Sequence, residues 1–197
     1  VDINETILNT EFENIDIIAS DTDLAGCEIE LTSRESREYI LKNSIDKVRD
    51  NYDYIFIDLS PSYDLIARNF MLISDSIITP LEYQDIASIR GCELFYQKFN
   101  QDLEEMEMTN EAKRAVVINS YTNRKLSSGD IFSEYLDTFN NIKQDLLETK
   151  ISDTTIVKNA ILNKMDIDDY LKKMKKAHKI REEFNNFIEE LLRREVL

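Results

Sequence analysis

An acidic residue at the end of an apolar run is the feature of this sequence best suited to chemistry. The run Asp53–Asp58 reads Asp-Tyr-Ile-Phe-Ile-Asp and is followed by Leu-Ser-Pro-Ser. A continuous apolar run is typical of a strand that is buried on both faces, as in a parallel sheet. Folds of the α/β class bind ligands at the carboxyl ends of such strands, where a carboxylate can hold Mg²⁺ directly or through water. We therefore predict that Asp58 holds magnesium; the alternative is that Asp58 only caps the next helix.

A basic cluster near the carboxyl terminus is suited to nucleic-acid binding. Six of the ten residues from Lys172 to Arg181 are Lys or Arg. Residues three or four apart share one face of a helix, which would align Lys172, Lys175, Lys176 and Lys179. Such a stripe neutralises several phosphates and makes binding sensitive to salt. The alternative is a solvated face whose lysines pair with acids such as Glu182 and Glu183.

Composition limits the classes of protein that fit. The net charge of −15 means that any contact with DNA must come from a local basic patch. Cys27 and Cys92 lie far apart, which favours two buried thiols in a reducing cytoplasm over a disulfide framework. His178 is the only histidine, which argues against a structural zinc site. No run approaches about 18 apolar residues, so we expect no membrane span.

Strand and helix patterns alternate along the chain. The patterns predict strands at 14–19, 53–58, 75–80 and 113–119, and helices at 33–49, 65–73, 86–107, 130–147 and 166–194. This alternation predicts an α/β fold with a doubly wound, mostly parallel sheet and helices on both faces. Because we find no internal repeat, low-complexity tract or linker, we expect one domain over residues 1–197, with a helical carboxyl-terminal part from about residue 156.

The order and spacing of several segments resemble a known family. The segment Asp53–Ser62 is followed by Asn69, then by Ser74–Pro80, and then by Ile89-Arg-Gly91, while Ile17–Leu31 precedes it. This series is similar to the ParA/MinD group of deviant Walker ATPases, and in particular to the ParA/Soj-type partition ATPases with their P-loop NTPase-like fold. That group shows a Tyr-Asp-Tyr-hydrophobic-Asp-x-Pro-Pro-Ser segment, an Asn in the next helix, a strand that ends in Pro, and a helix that contains Gly.

The resemblance implies the phosphate end of a nucleotide site. Asp58 matches the Walker B aspartate that orders Mg²⁺ and the attacking water. Ser60, Pro61 and Ser62 match the switch II loop that senses the γ-phosphate of ATP. Because Ser60 stands where the family usually has the first of two prolines, we expect a looser loop here.

The resemblance also implies a base end of that site. Asn119 matches a strand-end position that hydrogen-bonds adenine in some members; the alternative is a merely structural hydrogen bond. Ser152 and Asp153 match the loop that closes over the base, although the usual Ile-Pro start of that loop is Ile151-Ser here.

DNA-binding residues follow from the same resemblance. Arg124 matches a family arginine implicated in sequence-independent DNA binding. A second family arginine would fall near Ile156, where this chain has no positive charge. We therefore expect Arg124 to act together with the lysine stripe Lys172, Lys175, Lys176 and Lys179.

The phosphate-binding loop of the family is absent from the printed sequence. Neither Gly-x-x-x-x-Gly-Lys-[Ser/Thr] nor the deviant Lys-Gly-Gly-x-Gly-Lys-[Thr/Ser] form occurs, and the chain opens on Val1 rather than Met. We therefore expect the carboxyl-terminal two-thirds of a longer ATPase, without its Walker A region and central phosphate-loop strand. We do not expect this chain alone to hydrolyse ATP.

The resemblance implies a cytoplasmic, nucleoid-associated ATPase of plasmid or chromosome partition. ATP and Mg²⁺ would close a homodimer that binds duplex DNA non-specifically, and a centromere-binding, ParB-like protein would stimulate hydrolysis. One alternative is a MinD-like, membrane-associated positioning ATPase, but the glutamate-rich end 184–197 favours packing as the last helix over membrane contact. The other alternative is a degenerate, non-enzymatic ParA-like binding domain.

Overall fold

The structure is a computed structural model that describes residues 2–20, 26, 30–34, 37–60, 62–107, 109, 111–122, 127–174 and 178–197, without the side chains of 38, 127–130 and 178. The chain divides into two compact units, Val1–Ser74 and Asp75–Leu197. We call them the first unit and the second unit and describe each by itself.

The first unit contains short elements. Strands β1 (Leu8–Asn9) and β2 (Asp16–Ile17) form an antiparallel pair, which is shorter than the strand predicted at 14–19. Helix α1 (Ile40–Ile45) covers only part of the helix predicted at 33–49, and it packs against helix α2 (Leu65–Ile73). Helix α2 confirms the helix predicted at 65–73. Single 3₁₀ turns lie at Ile3–Glu5, Arg37–Tyr39 and Arg49–Asn51.

The apolar segment predicted as a buried strand at 53–58 is not a strand in the structure. Its backbone is irregular, and the side chains of Tyr54, Ile55 and Phe56 are 56%, 39% and 75% exposed. A strand exists only where its backbone groups pair with a neighbour, and no described segment pairs with this one. The prediction of a strand covered on both faces is therefore wrong for the described part of the chain.

The second unit contains a parallel sheet with helices. Strands β3 (Ser76–Glu82), β4 (Lys113–Tyr121) and β5 (Leu146–Ser152) pair in the order β3-β4-β5, with β4 in the centre. The helices are α3 (Ile86–Glu105), α4 (Ser127–Leu136), α5 (Asn140–Asp145), α6 (Thr155–Leu162), α7 (Ile167–Met174) and α8 (His178–Arg193). The prediction of an α/β fold with a parallel sheet is confirmed.

Apolar side chains of β4 supply both faces of the core. Val116 and Ile118 point to one face, Ala115 and Val117 point to the other, and all four are at most 5% exposed. The first face packs against residues of α3, α4 and α5, namely Ile89, Cys92, Tyr96, Phe132, Leu136 and Ile142. The second packs against residues of α7, α8 and the chain end, namely Leu171, Ile180, Leu191 and Val196. Helices thus cover both faces of the sheet, as predicted.

Two details of the sheet differ from the predictions. Pro80 lies inside β3 instead of ending it, because β3 is an edge of the described sheet and an edge strand tolerates the missing N–H of proline. Strand β5 occupies Leu146–Ser152, where a helix had been predicted as far as residue 147. Its sequence, Leu-Leu-Glu-Thr-Lys-Ile-Ser, is rich in helix-forming residues, and its pairing with β4 overrides that local preference.

Cys92 is a buried free thiol in the core of the second unit, as predicted. Burial, followed by the negative charges of Glu93 and Asp145, raises its pKa to about 12. The thiol is therefore protonated and unreactive at neutral pH. Cys27 lies outside the described residues.

Candidate functional site

The carboxyl ends of β4 and β5 bring Asn119, Ser152 and Asp153 to one edge of the sheet. The two strands are parallel neighbours, and the backbone N–H of Asp153 donates to the carbonyl of Tyr121 at 2.9 Å. On the other side of β4, the N–H of Tyr83 donates to the carbonyl of Asn119 at 3.0 Å. The residues predicted for the base end of a nucleotide site therefore lie on adjacent strand ends. This is the edge at which α/β folds bind ligands.

Asn119 lies next to a strained residue of β4, at a point where the pairing with β5 is irregular. Its side chain is half-buried. The next residue, Ser120, has a φ of 53°, a left-handed conformation that is costly for a non-glycine residue. A hydrogen bond of 3.0 Å from the Ser120 hydroxyl to Oε2 of Glu82 stabilises this conformation. This contact joins the ends of β3 and β4 next to Asn119.

Ser152 is held by the last helix. Its backbone N–H and its hydroxyl donate to the two carboxylate oxygens of Glu183, at 2.9 Å and 2.6 Å. Nζ of Lys179 lies 3.0 Å from the same hydroxyl and 3.2 Å from Oε1 of Glu183. We call these three residues the Ser152–Glu183–Lys179 triad. Sequence reasoning named Glu183 only as an ion-pair partner of the basic cluster and missed its contact with the site.

The Glu183 carboxylate is ionised in this arrangement. Burial acts to raise its pKa, but the hydrogen bonds from Ser152 and the interaction with Lys179 outweigh burial and lower the pKa. The side chain of Glu183 is only 15% exposed, so its charge depends on these partners rather than on water. The triad is therefore a fixed, charge-assisted contact between β5 and α8.

The loop after Asp58 is joined to helix α2 through hydroxyl groups. The hydroxyls of Ser60 and Ser62 lie 2.6 Å apart, and the Ser62 hydroxyl donates to Oδ2 of Asp64 at 2.6 Å. Asp64 caps α2, accepting from the N–H of Ala67 at 2.8 Å. The cap of this helix is therefore Asp64, and the alternative that Asp58 only caps the helix is wrong. Pro61 lies outside the described residues.

Asp64 is kept ionised by that cap. Burial acts to raise its pKa, but hydrogen bonds from Ser62 and from backbone N–H groups at the start of α2 outweigh it and lower the pKa. The sequence signal for this cap is an aspartate directly before the apolar helical pattern at 65–73.

The donor atoms around Asp58 fit magnesium bound with a phosphate group. Asp58 is exposed, and its carboxylate and the nearby serine hydroxyls supply oxygen atoms, the ligands that Mg²⁺ prefers. In the described part of the chain, no group of three or more His, Cys, Asp or Glu residues is placed to hold a metal ion. A single carboxylate suits Mg²⁺ where phosphates and water supply the other ligands.

Two lysines of the predicted DNA-binding stripe, Lys172 and Lys179, are paired with acids. Lys172 lies on α7 and forms an ion pair with Asp169, whose hydrogen bond raises the pKa of Lys172. Lys179 lies on α8 and pairs with Glu183. The predicted alternative, pairing with acids such as Glu183, describes Lys179, whereas Lys172 pairs with an acid that precedes the cluster. Arg124, Lys175 and Lys176 lie outside the described residues, so the continuous lysine stripe stays a prediction.

A cleft of about 460 Å³ lies at the opposite edge of the sheet, where β4 begins. Its lining includes Arg114 and Asp145. The guanidinium of Arg114 lies 4.8 Å from the centre of the Tyr96 ring and donates to Asn100 at 2.8 Å. The cleft is at the other end of β4 from Asn119, so it does not belong to the candidate site. Among the described helices, none is long and apolar enough to cross a membrane.

Comparisons with known proteins identify relatives of this chain. The family described as an AAA domain matches residues 1–112. The chain is 43% identical over 81 residues to the sporulation initiation inhibitor protein Soj of Bacillus subtilis, which covers 41% of the chain and 32% of the relative. It is 28% identical over 168 residues to the chromosome-partitioning ATPase Soj of Treponema pallidum, which covers 82% of the chain and 60% of the relative. The chain thus spans less than two thirds of these relatives.

Solved structures of similar fold cover nearly the whole chain. A plasmid partition protein from Borrelia burgdorferi superposes with a TM-score of 0.66 at 26% identity, covering 98% of this chain and 68% of the other. Cobyrinic acid a,c-diamide synthase from Mycobacterium smegmatis, with bound ADP and magnesium, gives 0.66 at 25% identity, covering 91% and 70%. Nucleotide and magnesium binding therefore occurs in a structural neighbour of this chain.

Proposed function

We propose, from the premise that this chain belongs to the ParA/Soj-type family of partition ATPases, that it works in plasmid or chromosome segregation as a nucleotide-dependent switch. The observation that carries the proposal is the placement of Asn119 beside Ser152 and Asp153 at the carboxyl edge of a parallel sheet. A base-binding role explains polar side chains at this edge better than packing does, since the adjoining positions Val117 and Ile118 are buried and apolar.

The proposed phosphate-binding residues are Asp58, Ser60, Pro61 and Ser62, in the first unit. Asp58 would hold Mg²⁺, through water, and orient the attacking water molecule. Mg²⁺ bound with ATP neutralises the charge that develops during phosphoryl transfer. The hydroxyls of Ser60 and Ser62 hydrogen-bond to each other and onward to Asp64, so a group that binds either hydroxyl also acts on the cap of α2.

The proposed base-binding residues are Asn119, Ser152 and Asp153, in the second unit. The Asn119 amide can both donate and accept, which matches the edge of an adenine ring. Ser152 uses its N–H and hydroxyl to bind Glu183, so its role is to fix the loop rather than to contact the base through those groups. The exposed Asp153 follows directly and is placed by this anchor.

Non-specific duplex DNA is the proposed partner of the basic residues Arg124, Lys172, Lys175, Lys176 and Lys179. The homodimer formed with ATP would present these residues together, and a ParB-like, centromere-binding protein would stimulate hydrolysis. Lys172 and Lys179 already pair with carboxylates, so DNA phosphates must displace those acids. This exchange reduces the gain from each lysine. The neutralisation of several phosphates makes the binding sensitive to salt.

The test is binding of non-specific duplex DNA by the full-length protein, with and without ATP, over a series of salt concentrations. We expect binding only with ATP, with an affinity that falls steeply as salt rises. Asp58→Ala should abolish ATP hydrolysis, whereas the matched control Asp53→Ala, at the other end of the same apolar segment, should retain it. ATP binding without any DNA binding would overturn the segregation function and favour a membrane or protein partner. Failure to bind ATP would favour a non-enzymatic binding domain.

A further inference from the structure

We propose that Glu183 is a positioning residue that couples the loop Ser152–Asp153 to the basic cluster through Lys179, so that nucleotide and DNA act on one triad. The inference rests on the proposed function, because it concerns how the proposed nucleotide site and the proposed DNA site are connected. Glu183 contacts neither ligand in this proposal; it acts through Ser152 and Lys179.

Two glutamates of helix α8 hydrogen-bond to backbone N–H groups of strand β5. Glu190 is 4% exposed, and its two oxygens accept from the backbone N–H groups of Glu148 and Thr149, both at 2.9 Å. Glu183 accepts from the N–H of Ser152 at 2.9 Å. In the described sheet β5 has a neighbouring strand on one side only, and unpaired backbone donors at such an edge are costly when buried. The carboxylates of α8 supply the acceptors that a further strand would otherwise supply.

The spacing of the two glutamates matches the strand. Glu183 and Glu190 are seven positions apart on the helix, which corresponds to a rise of about 10.5 Å. The N–H groups that they bind lie three or four strand residues apart, about 10–13 Å. Helix and strand run in opposite directions, so Glu190 meets the start of β5 and Glu183 meets its end. The contact therefore fixes how far α8 can slide along β5, and a shift of either element moves the other.

Lys179 connects this contact to the basic cluster. Its side chain is 74% exposed, yet its Nζ lies within hydrogen-bond distance of both Ser152 and Glu183. The other described lysines of the cluster contact different residues, since Lys172 pairs with Asp169 and Nζ of Lys173 lies 3.2 Å from Sδ of Met165. Within the described part of the cluster, Lys179 is thus the lysine whose capture by a DNA phosphate changes the hydrogen bonds of Ser152.

Coupling between two ligands is reciprocal. If a phosphate draws Lys179 from the triad, Glu183 loses the cation that offsets its burial, and the Ser152 hydroxyl loses a donor. Nucleotide that fixes the Ser152–Asp153 loop must then change DNA affinity by the same factor by which DNA changes nucleotide affinity. Couplings of this kind are typically about 5- to 150-fold.

The experiment measures the affinity of a fluorescent ATP analogue for the full-length protein, with and without a non-specific DNA duplex. The ratio of the two affinities is the coupling factor, and we expect a value of at least about fivefold for the wild type. In Glu183→Gln one oxygen acceptor becomes an N–H₂ donor, so Ser152 keeps a single acceptor and the factor should fall to near one. Glu190→Gln, the matched control on the same helix, should keep the wild-type factor.

The outcomes separate this inference from the proposed function. Loss of coupling in Glu183→Gln but not in Glu190→Gln supports it, because a merely structural role would move both variants together. An unchanged factor in Glu183→Gln overturns it, and so does a wild-type protein that binds both ligands without coupling. A wild type that binds no nucleotide or no DNA overturns the proposed function and this inference with it, and that failure is visible before any variant is made.

Discussion

Two apolar segments of this chain, one in each unit, have similar patterns and different structures. Tyr54–Ile57 in the first unit reads Tyr-Ile-Phe-Ile, and Ala115–Ile118 in the second reads Ala-Val-Val-Ile. The second is the centre of a parallel sheet with every side chain buried, whereas the first is irregular, with most of the Phe56 ring in contact with solvent. An apolar run therefore encodes the capacity to form a strand, and neighbouring strands decide whether that capacity is used.

The largest expected difference between the two units is the loss of stability when a phenylalanine ring is removed from each. Phe132 packs in the core cluster of the second unit, 5.5 Å from the ring of Tyr83, and is 1% exposed. Phe132→Ala should lower the free energy of unfolding by about 3–5 kcal/mol, because it removes buried apolar surface and leaves a cavity. Phe56→Ala, the same chemical change at an exposed position, should alter it by no more than about 0.5 kcal/mol.

Urea unfolding of the full-length protein measures both changes. If Phe56→Ala costs as much as Phe132→Ala, then the first apolar segment is covered in the working protein, and the difference between the two segments disappears. If Phe132→Ala is mild, the core of the second unit relaxes around the lost ring.

The next effect concerns a buried carboxylate and an exposed one. Glu190→Gln leaves one of its backbone N–H partners and Arg194 without a carboxylate oxygen, and we expect a loss of about 1–3 kcal/mol. Asp46→Asn in the first unit removes an exposed ion pair with Lys42, and we expect no measurable change in the urea midpoint. A loss in Asp46→Asn comparable to that in Glu190→Gln would contradict the difference in burial.

Glu190 also predicts how stability depends on pH. Burial acts to raise its pKa, but hydrogen bonds from Glu148 and Thr149 and the charge of Arg194 outweigh burial and lower the pKa below the ordinary value of 4.5. Since the folded pKa lies below the unfolded one, this stabilisation is complete above about pH 4.5 and is lost as the pH falls through the folded pKa. Urea midpoints from pH 7 to pH 3 should therefore fall less steeply in Glu190→Gln. Parallel pH profiles would refute this assignment.

The parts of the fold that were predicted correctly depend on local sequence. Helix α2 was predicted with its bounds, because Asp64 precedes an apolar helical pattern that ends at Ile73. The strand predicted at 53–58 failed and β5 was missed, because both depend on partners far along the chain.

The candidate site also contains residues that could be predicted from the sequence and a contact that could not. Family resemblance pointed to Asn119, Ser152 and Asp153, and two of these lie at the end of the strand that the pattern missed. The contact of Glu183 with Ser152 was not predicted, because 31 residues separate them and no local pattern encodes the contact. A signal was present, since Glu183 and Glu190 lie two helical turns apart beside the buried Ile180 and Leu191. Acids on the apolar face of a helix indicate backbone donors opposite them.

The smallest expected difference between the two units concerns the residues that cap their helices. Asp64 caps α2 and Asp85 caps α3, each accepting from a backbone N–H at 2.8 Å. Replacing either by Ala should lower stability by about 1 kcal/mol, and replacing either by Ser should recover most of that loss, since a serine hydroxyl is also a good cap. The rates of amide hydrogen exchange at Ala67 and at Ala87 measure the two caps separately, because these N–H groups donate to Asp64 and Asp85. A cap acts within one helical turn. Similar losses of stability in the Asp64 and Asp85 variants would therefore mean that the two units differ in contacts between distant residues and not in local ones. A much larger loss at Asp85 would instead mean that packing in the second unit amplifies local effects.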